Sequence, residues 1–496
     1  SFAEFEAKKA LFKLGDVIVP PLDEEKKGRS GFDSPLQYIL AVIGMSVGLG
    51  NIWRFPTVAF ENGGGAFLIP YLFMGIFFGL PMIYMDSCIG QFMQNSPSIV
   101  FKQYFPAAQG LGWTMALATL SIGFNYIVPC CWALIYIAQV YFNGSCISVA
   151  ERIVALNATN ATLASAPEEF FYFHVIRKHA SFEFGEFNWM VAVSLFVCWT
   201  ISGAGLIKGV QSMGKVALVT TILPYVIISI LFIRGVTLEG AGIGIRYFLT
   251  EPKWGKILEL ATWKAALSQA CFSLSVGSGV MISMASYNKT THPNYRDCLI
   301  ILVADTFMSF FGGTAVFAIL GSMAHKMGVS VDKAVASPRG LMFVAYPEAT
   351  SHMPWPTLWA LLFFLMMLSL GISTLFSMVE CIATCIVDEY PRLAKWHWLI
   401  VAIICLGCFL LNLLCYAFQN GYHIFSVLDN FLGLVSLPSA LILEVVIVMT
   451  YYGAPRLFRD IQCMHGLPSS QFARIFGNLG VYTKIGVTFT APLFAV

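Results

Sequence analysis

Two short segments of this chain carry residue types that can hold an ion and a small polar molecule without a catalytic side chain. Gly44-Met45-Ser46-Val47-Gly48-Leu49-Gly50-Asn51 and Ser273-Leu274-Ser275-Val276-Gly277-Ser278-Gly279 concentrate small and polar residues inside otherwise apolar runs. Glycine is a poor residue for a helix interior, so both runs are expected to lose helical hydrogen bonds there. Carbonyl oxygens released at such a break can ligate a dehydrated cation, and amides at the start of the following half-helix attract a carboxylate. The competing explanation is a pair of packing faces, since Gly and Ser also let transmembrane helices approach closely.

The elements that must position these segments follow from composition. Of 496 residues, 57% are hydrophobic and 11% charged, with a mean hydropathy of +0.74. That describes an all-α polytopic membrane protein in contact with lipid along its length. Twenty-nine Lys and Arg against 27 Asp and Glu leave a net charge of +2, which supplies no field for nucleic acid. Apolar spans are read at 36–60, 64–92, 111–142, 187–204, 212–234, 262–288, 296–326, 354–388, 396–414, 422–452 and 474–496, each near or above the ~20 residues that cross a bilayer. Residues 1–35 mix both charges and hold no secretory signal.

Basic residues fix the orientation. Arg29, Lys208, Lys215, Arg296, Arg392, Lys395, Arg456 and Arg459 fall at alternate ends of the spans, which predicts a cytoplasmic N-terminus, here in the plasma membrane. The segment 143–186 is then extracellular, and its sequons at Asn143, Asn157 and Asn160 are expected to be glycosylated. A second external segment, 327–353, reads as a structured loop or short helices. The Gly-rich breaks lie in the first and sixth of the eleven spans. Each therefore opens a block of five, 36–234 and 262–452, with 474–496 following. That is the pattern of an inverted repeat with discontinuous helices at the bilayer midplane. Most cysteines lie in apolar runs and read as buried hydrophobes. No nucleophile and base emerge at a usable spacing, so an enzyme is disfavoured. Asp86 and Glu444, both inside spans, read as structural.

The strings Gly48-Leu49-Gly50-Asn51-Ile52-Trp53-Arg54-Phe55-Pro56 and Glu61-Asn62-Gly63-Gly64-Gly65-Ala66-Phe67-Leu68-Ile69-Pro70-Tyr71 closely resemble the neurotransmitter sodium symporter family. The likeness continues through Trp132-Ala133-Leu134, Ala285-Ser286-Tyr287-Asn288 and Leu370-Gly371. It implies twelve helices with a five-plus-five inverted repeat, the twelfth being expected to be missing from this sequence. It also implies a first sodium site at the Ser46 carbonyl, Asn51, Ser273 and Asp305, and a second at the Gly44, Val47 and Leu370 carbonyls with Ser373 and Thr374. Oxygen-only ligation suits a hard cation.

Monoamine-carrying relatives place Asp at the position of Gly48. Glycine there leaves room for the substrate's own carboxylate, so the resemblance implies an α-amino acid. Its carboxylate would meet the Leu49 and Gly50 amides and the Tyr126 hydroxyl, and its ammonium the Ser46 and Phe272 carbonyls. Met45, Ile122, Phe272, Ser275, Ser278 and Met378 would line a neutral side-chain subsite. This zwitterionic neutral amino acid is the expected partner; a carrier of GABA, betaine or glycine, or an amino-acid-gated channel or receptor, is the alternative. By the same resemblance, Arg54 and Asp429 match an outer gate, Arg29, Tyr287 and Asp388 an inner gate, and Phe55 and Phe272 candidate lids. Tyr71, Gln269, Ser273 and Ser309 match a chloride site.

One departure stands out. Most relatives have Asn where this chain has Asp305, and at this position the chain resembles insect nutrient amino acid transporters of the family with relaxed cation choice. A carboxylate binds a cation through charge rather than cavity size, which admits potassium beside sodium. One helical turn from Ser309, it also supplies the negative charge that chloride would bring, so chloride is expected to assist without being required. A protonated Asp acting like Asn, with ordinary sodium coupling, is the opposing reading. Pro129 is expected to kink the third span. The sequence leaves oligomeric state open.

Overall fold

The computed structural model describes residues 31–143, 166–178, 182–250, 253–331, 341–351, 353–432, 436–466 and 470–495. Among them the only bridge of β type is isolated, between Phe187 and Phe418. The helices that position the site are α1 (Pro35–Ser46), α2 (Gly50–Glu61), α3 (Gly64–Met93), α4 (Gln109–Asn143), α5 (Trp189–Gly205), α6 (Val210–Val236) and α7 (Ala241–Leu249). They continue with α8 (Leu260–Ser273), α9 (Val280–Ala285), α10 (Asn294–Met327), α11 (Pro356–Glu389), α12 (His397–Tyr416), α13 (Gly421–Phe431) and α14 (Leu437–Ile447). Three further helices follow, α15 (Ala454–His465), α16 (Gln471–Phe476) and α17 (Val481–Ile485), the last leading into helical turns at Gly486–Thr490 and Ala491–Ala495.

Among the described residues, seven helical runs are long and apolar enough to cross a membrane, one of them being α14 and α15 taken together as Leu437–His465, and α1 with α2 forms an eighth candidate bent by 41°. Local chemistry sets where these helices start. Ser34 caps α1 by accepting from the Gln37 amide at 3.3 Å, with Pro35 at the first helical position. Asn188 caps α5 in the same way, accepting from Val191. The expected interruptions are present. α1 stops where Val47 turns extended, at φ −85° and ψ 91°. α8 stops at Ser273, and the turns before α9 place Ser275, Gly277 and Gly279 at positive φ. Gly277 and Gly279 take that conformation freely, whereas Ser275 at φ +52° is held in a region L-residues rarely adopt.

α1 packs against α6 and α11, α4 lies along α11, and α10 contacts α2. The two broken spans are thereby enclosed by long continuous helices and face each other inside the bundle. α4 continues through Pro129 as one helix. α7 was not anticipated from the sequence; it lies against α10, where Gly244 and Gly321 bring the two backbones together. The 327–353 segment carries short helical turns at Leu341–Ala345 and Tyr346–Ser351. Asn157 and Asn160 lie outside the described residues, and so does the side chain of Asn143.

Close packing of α9 on α3 makes a prediction. A methyl group at Gly90 would lie 2.1 Å from the Ile282 carbonyl oxygen, whereas one at Gly110 would meet nothing within 4 Å. Gly90→Ala should destabilise the protein by about 1–3 kcal/mol. Gly110→Ala should be neutral or stabilising by up to ~1 kcal/mol. Thermal unfolding in detergent, compared with the unsubstituted chain, checks the ordering.

Candidate functional site

The broken backbone at the first interruption is satisfied locally and by one neighbour. The Gly48 amide donates to Asn51 Oδ1 at 3.0 Å, and the Leu49 amide donates to the Tyr126 hydroxyl at 2.6 Å. At the second, the Ser278 hydroxyl donates to the Ser275 carbonyl at 2.5 Å, and Thr119 donates to the Ser278 carbonyl at 2.7 Å. Helices α2 and α4 therefore supply the contacts that hold both interruptions in register with the rest of the bundle.

Asn51 joins the two breaks. Its amide nitrogen sits among four oxygens, at 3.2 Å from Ser273 Oγ, 3.2 Å from the Asp305 carbonyl, 2.7 Å from Asp305 Oδ1 and 2.8 Å from Ser309 Oγ. Asp305 Oδ1 also accepts from the Ser273 hydroxyl at 2.7 Å, and Oδ2 accepts from the Tyr71 hydroxyl at 3.0 Å. All of these side chains are buried. Asn51, Ser273 and Asp305 of the expected first cation set thus share one cluster with most of the expected chloride set, while Ser46 lines the cavity beside it. Tyr71 and Ser273 meet at the Asp305 carboxylate, Ser309 bonds to Asn51 and the Tyr71 hydroxyl, and Gln269 turns aside to donate to the Gly50 carbonyl at 3.1 Å.

The second expected cation set also converges. Ser373 donates to the Gly44 and Leu370 carbonyls at 3.2 and 2.9 Å, and Thr374 donates to the same two carbonyls at 3.1 Å each. Four of its five members therefore make direct contact. Val47 lies beside them at the end of α1, its amide bonded to the Ile43 carbonyl.

Between the breaks lies a small cavity of about 20 Å³, room for roughly one water. Met45, Ser46, Gly48, Gly50, Ile122, Tyr126, Phe272, Ser275, Ser278 and Met378 line it, as the sequence reading proposed, and Leu49 stands at its edge through Tyr126. No charged side chain lines it. Three lining residues were missed: Thr119, Val280 and Leu437. Above it, sharing Gly50, Ile122, Tyr126 and Phe272, is a cavity of about 250 Å³ that reaches Arg54, Glu61 and Asp429.

Arg54 and Asp429 both line that larger cavity, but Arg54 donates to Ser268 at 3.0 Å and lies over the Phe272 ring at 4.5 Å. Phe55 is not a lid: it is fully buried and packs against Phe67 and Tyr71. On the opposite side, the Tyr287 hydroxyl contacts Glu380 at 3.1 Å and Thr384 at 2.8 Å, and Asp388 accepts from the Ser96 amide at 2.7 Å. Arg29 lies outside the described residues. Glu380 was also missed, although an ionisable residue inside a span is itself a signal of function.

The sodium:neurotransmitter symporter family matches residues 29–490. This chain belongs to that family. It is a multi-pass membrane transporter of the sodium symporter type, not an enzyme. The sodium-dependent transporter snf-5 of Caenorhabditis elegans is 36% identical, over 96% of this chain and 72% of the relative. The sodium- and chloride-dependent glycine transporter 2 of Xenopus laevis is 35% identical, over 91% and 62%. The sodium- and chloride-dependent neutral and basic amino acid transporter B(0+) of Mus musculus is 34% identical, over 90% and 76%. A crystal structure of MhsT in complex with L-phenylalanine superposes with a TM-score of 0.76 at 22% identity, covering 94% of this chain and 98% of that one. At that identity the likeness establishes the fold.

The glycine at position 48 makes a sharp prediction for this symporter. A Cβ there would lie 2.4 Å from the Tyr126 hydroxyl and 2.6 Å from Thr374 Oγ1. Gly48→Ala must push apart the wall of the cavity and the second cation set. Uptake should fall at least about tenfold, the equivalent of ~1.4 kcal/mol, while surface biotinylation shows normal delivery. Full uptake in Gly48→Ala would show that this contact does not shape the site.

Proposed function

We propose that this symporter accumulates neutral α-amino acids by alternating access, driven by sodium, with potassium also accepted, and assisted rather than gated by chloride. The observation that carries the reading is the uncharged cavity at the meeting point of two broken spans, with the Leu49 amide and Tyr126 hydroxyl 2.6 Å apart at its wall. An α-carboxylate entering there takes over both groups, and no fixed charge competes with or demands a charged side chain. Ser46 supports the ammonium end. Its hydroxyl oxygen is buried without a hydrogen-bond partner, which costs roughly 1–3 kcal/mol until a ligand satisfies it.

Asn51, Ser273 and Asp305 would hold one cation with the Ser46 carbonyl, and Gly44, Val47, Leu370, Ser373 and Thr374 the other. The Asp305 carboxylate supports the chloride reading directly, since it already accepts from Tyr71 and Ser273 and stands beside Ser309. A negative charge bound among those donors need not come from solution. Charge rather than cavity size at this position is what supports potassium entry. In the proposed cycle, closure of Arg54 toward Asp429 seals the outer cavity, and release of Tyr287 and Asp388 opens the opposite side. The protein would sit in the plasma membrane with its N-terminus in the cytoplasm and Asn143, Asn157 and Asn160 outside.

A small substrate such as glycine is the second reading, favoured by the 20 Å³ cavity. Two of the relatives are named as glycine transporters.

Uptake of a labelled neutral amino acid mixture in sodium, potassium and choline media tests the coupling. Sodium should support the most accumulation, potassium less and choline none; equal accumulation in choline contradicts the mechanism. Replacing chloride by gluconate should slow the unsubstituted protein by about twofold or less and Asp305→Asn by at least about tenfold, a gap of ~1 kcal/mol. The same chloride dependence in both would refute the role given to Asp305. Competition by glycine against leucine separates the two substrate readings.

A further inference from the structure

Three cations converge on a cavity far from the transport site. Arg459 on α15, Arg474 on α16 and Lys484 on α17 line a space of about 390 Å³ together with Phe458, Gln462 and Val481. No acidic side chain lines it, and none of the three cations forms an ion pair among the described residues. Asp460, next in sequence to Arg459, is buried and bonded to Tyr452. The Lys484 ammonium lies 6.0 Å from the centre of the Phe458 ring, which holds it over α15.

Like charges gathered round one concave surface repel each other and are stabilised by an anion with several oxygens. Guanidinium groups suit phosphate because their fork matches two oxygens at once. Beside the basic cavity runs a strip of exposed apolar side chains: Val481 at 56% exposure, Ile485 at 48%, Phe489 at 69% and Leu493 at 71%. A soluble anion would make no use of that strip, whereas acyl chains would lie along it. The end of the bundle that carries α15, α16 and α17 is the one marked as cytoplasmic by Arg456 and Arg459. Basic pockets of this kind at the inner leaflet suit anionic lipid headgroups.

We propose that α15, α16 and α17 form a binding site for the phosphorylated headgroup of an anionic membrane lipid, held by Arg459, Arg474 and Lys484, with its chains along Val481, Ile485, Phe489 and Leu493. The site is separate from substrate transport and does not depend on which amino acid is carried.

The test uses the full chain in detergent, titrated with dioctanoyl phosphatidylinositol bisphosphate, dioctanoyl phosphatidylcholine and soluble inositol trisphosphate. The bisphosphate lipid should bind, phosphatidylcholine should not, and inositol trisphosphate should bind markedly more weakly because it lacks chains. Each cation near an anionic surface is worth about fivefold in affinity. Arg459→Gln, Arg474→Gln and Lys484→Gln together should therefore weaken lipid binding roughly a hundredfold, and Arg474→Gln alone, on the exposed α16, about fivefold. If the triple variant is unfolded, as judged by its melting curve, the single variant carries the test. Unchanged affinity in the folded variants, or equal affinity for the lipid and inositol trisphosphate, overturns the proposal.

Discussion

The Asn51 side chain is the point on which the rest of this structure depends. One carboxamide links the start of α2 to the end of α8 and the middle of α10, accepting from the Gly48 amide and reaching Ser273, Asp305 and Ser309. Ser273, Asp305 and Ser309 lie 222 to 258 positions from Asn51 in sequence. Inside a lipid-embedded bundle, water cannot satisfy backbone groups freed by a broken helix, so each interruption persists only where protein groups or a ligand complete it. The positive end of the Asn51 amide supplies four oxygens with a partner that a cation can replace. Structural stability and ion binding therefore draw on the same groups.

That sharing explains the character of the neighbouring sites. Ser373 and Thr374 direct their hydroxyl protons at the Gly44 and Leu370 carbonyls, bonds that a cation would displace by turning the hydroxyl oxygens inward. The Asp305 carboxylate is fixed by three donors from three different helices, α2, α8 and α3. A buried charge with that many hydrogen bonds is tolerated where an isolated one would not be. Gly48 completes the arrangement by lacking a side chain, since Tyr126 and Thr374 already occupy the space a Cβ would need.

Much of this was legible in the sequence, and the reason is local. Gly-rich, Ser-rich interruptions and long apolar runs leave their mark on consecutive residues, so the breaks at Val47-Gly48 and Leu274–Gly279 could be read directly, while most of the cavity lining followed from the family resemblance. What escaped depends on distant neighbours. Thr119 looks like any polar residue of a long helix until its hydroxyl is seen to hold the Ser278 carbonyl. Leu437 is one apolar residue among many in its span, and Phe55 reads as part of a site motif although it packs into the core. α7 escaped because nine residues are too few to register as a span. Glu380 did carry a signal, its charge within an apolar helix, but Asp388 lay nearer the expected gate. Its bond to Tyr287 shows why both acids belong to that region.

The most direct test of the account is equilibrium binding of a labelled neutral amino acid to the purified protein as sodium is varied at constant ionic strength, paired with sodium binding as the amino acid is varied. One shared site requires coupling that is equal in both directions. The account predicts that sodium tightens amino-acid binding and that the amino acid tightens sodium binding by the same factor. Amino-acid affinity that is identical in sodium and in choline would contradict it.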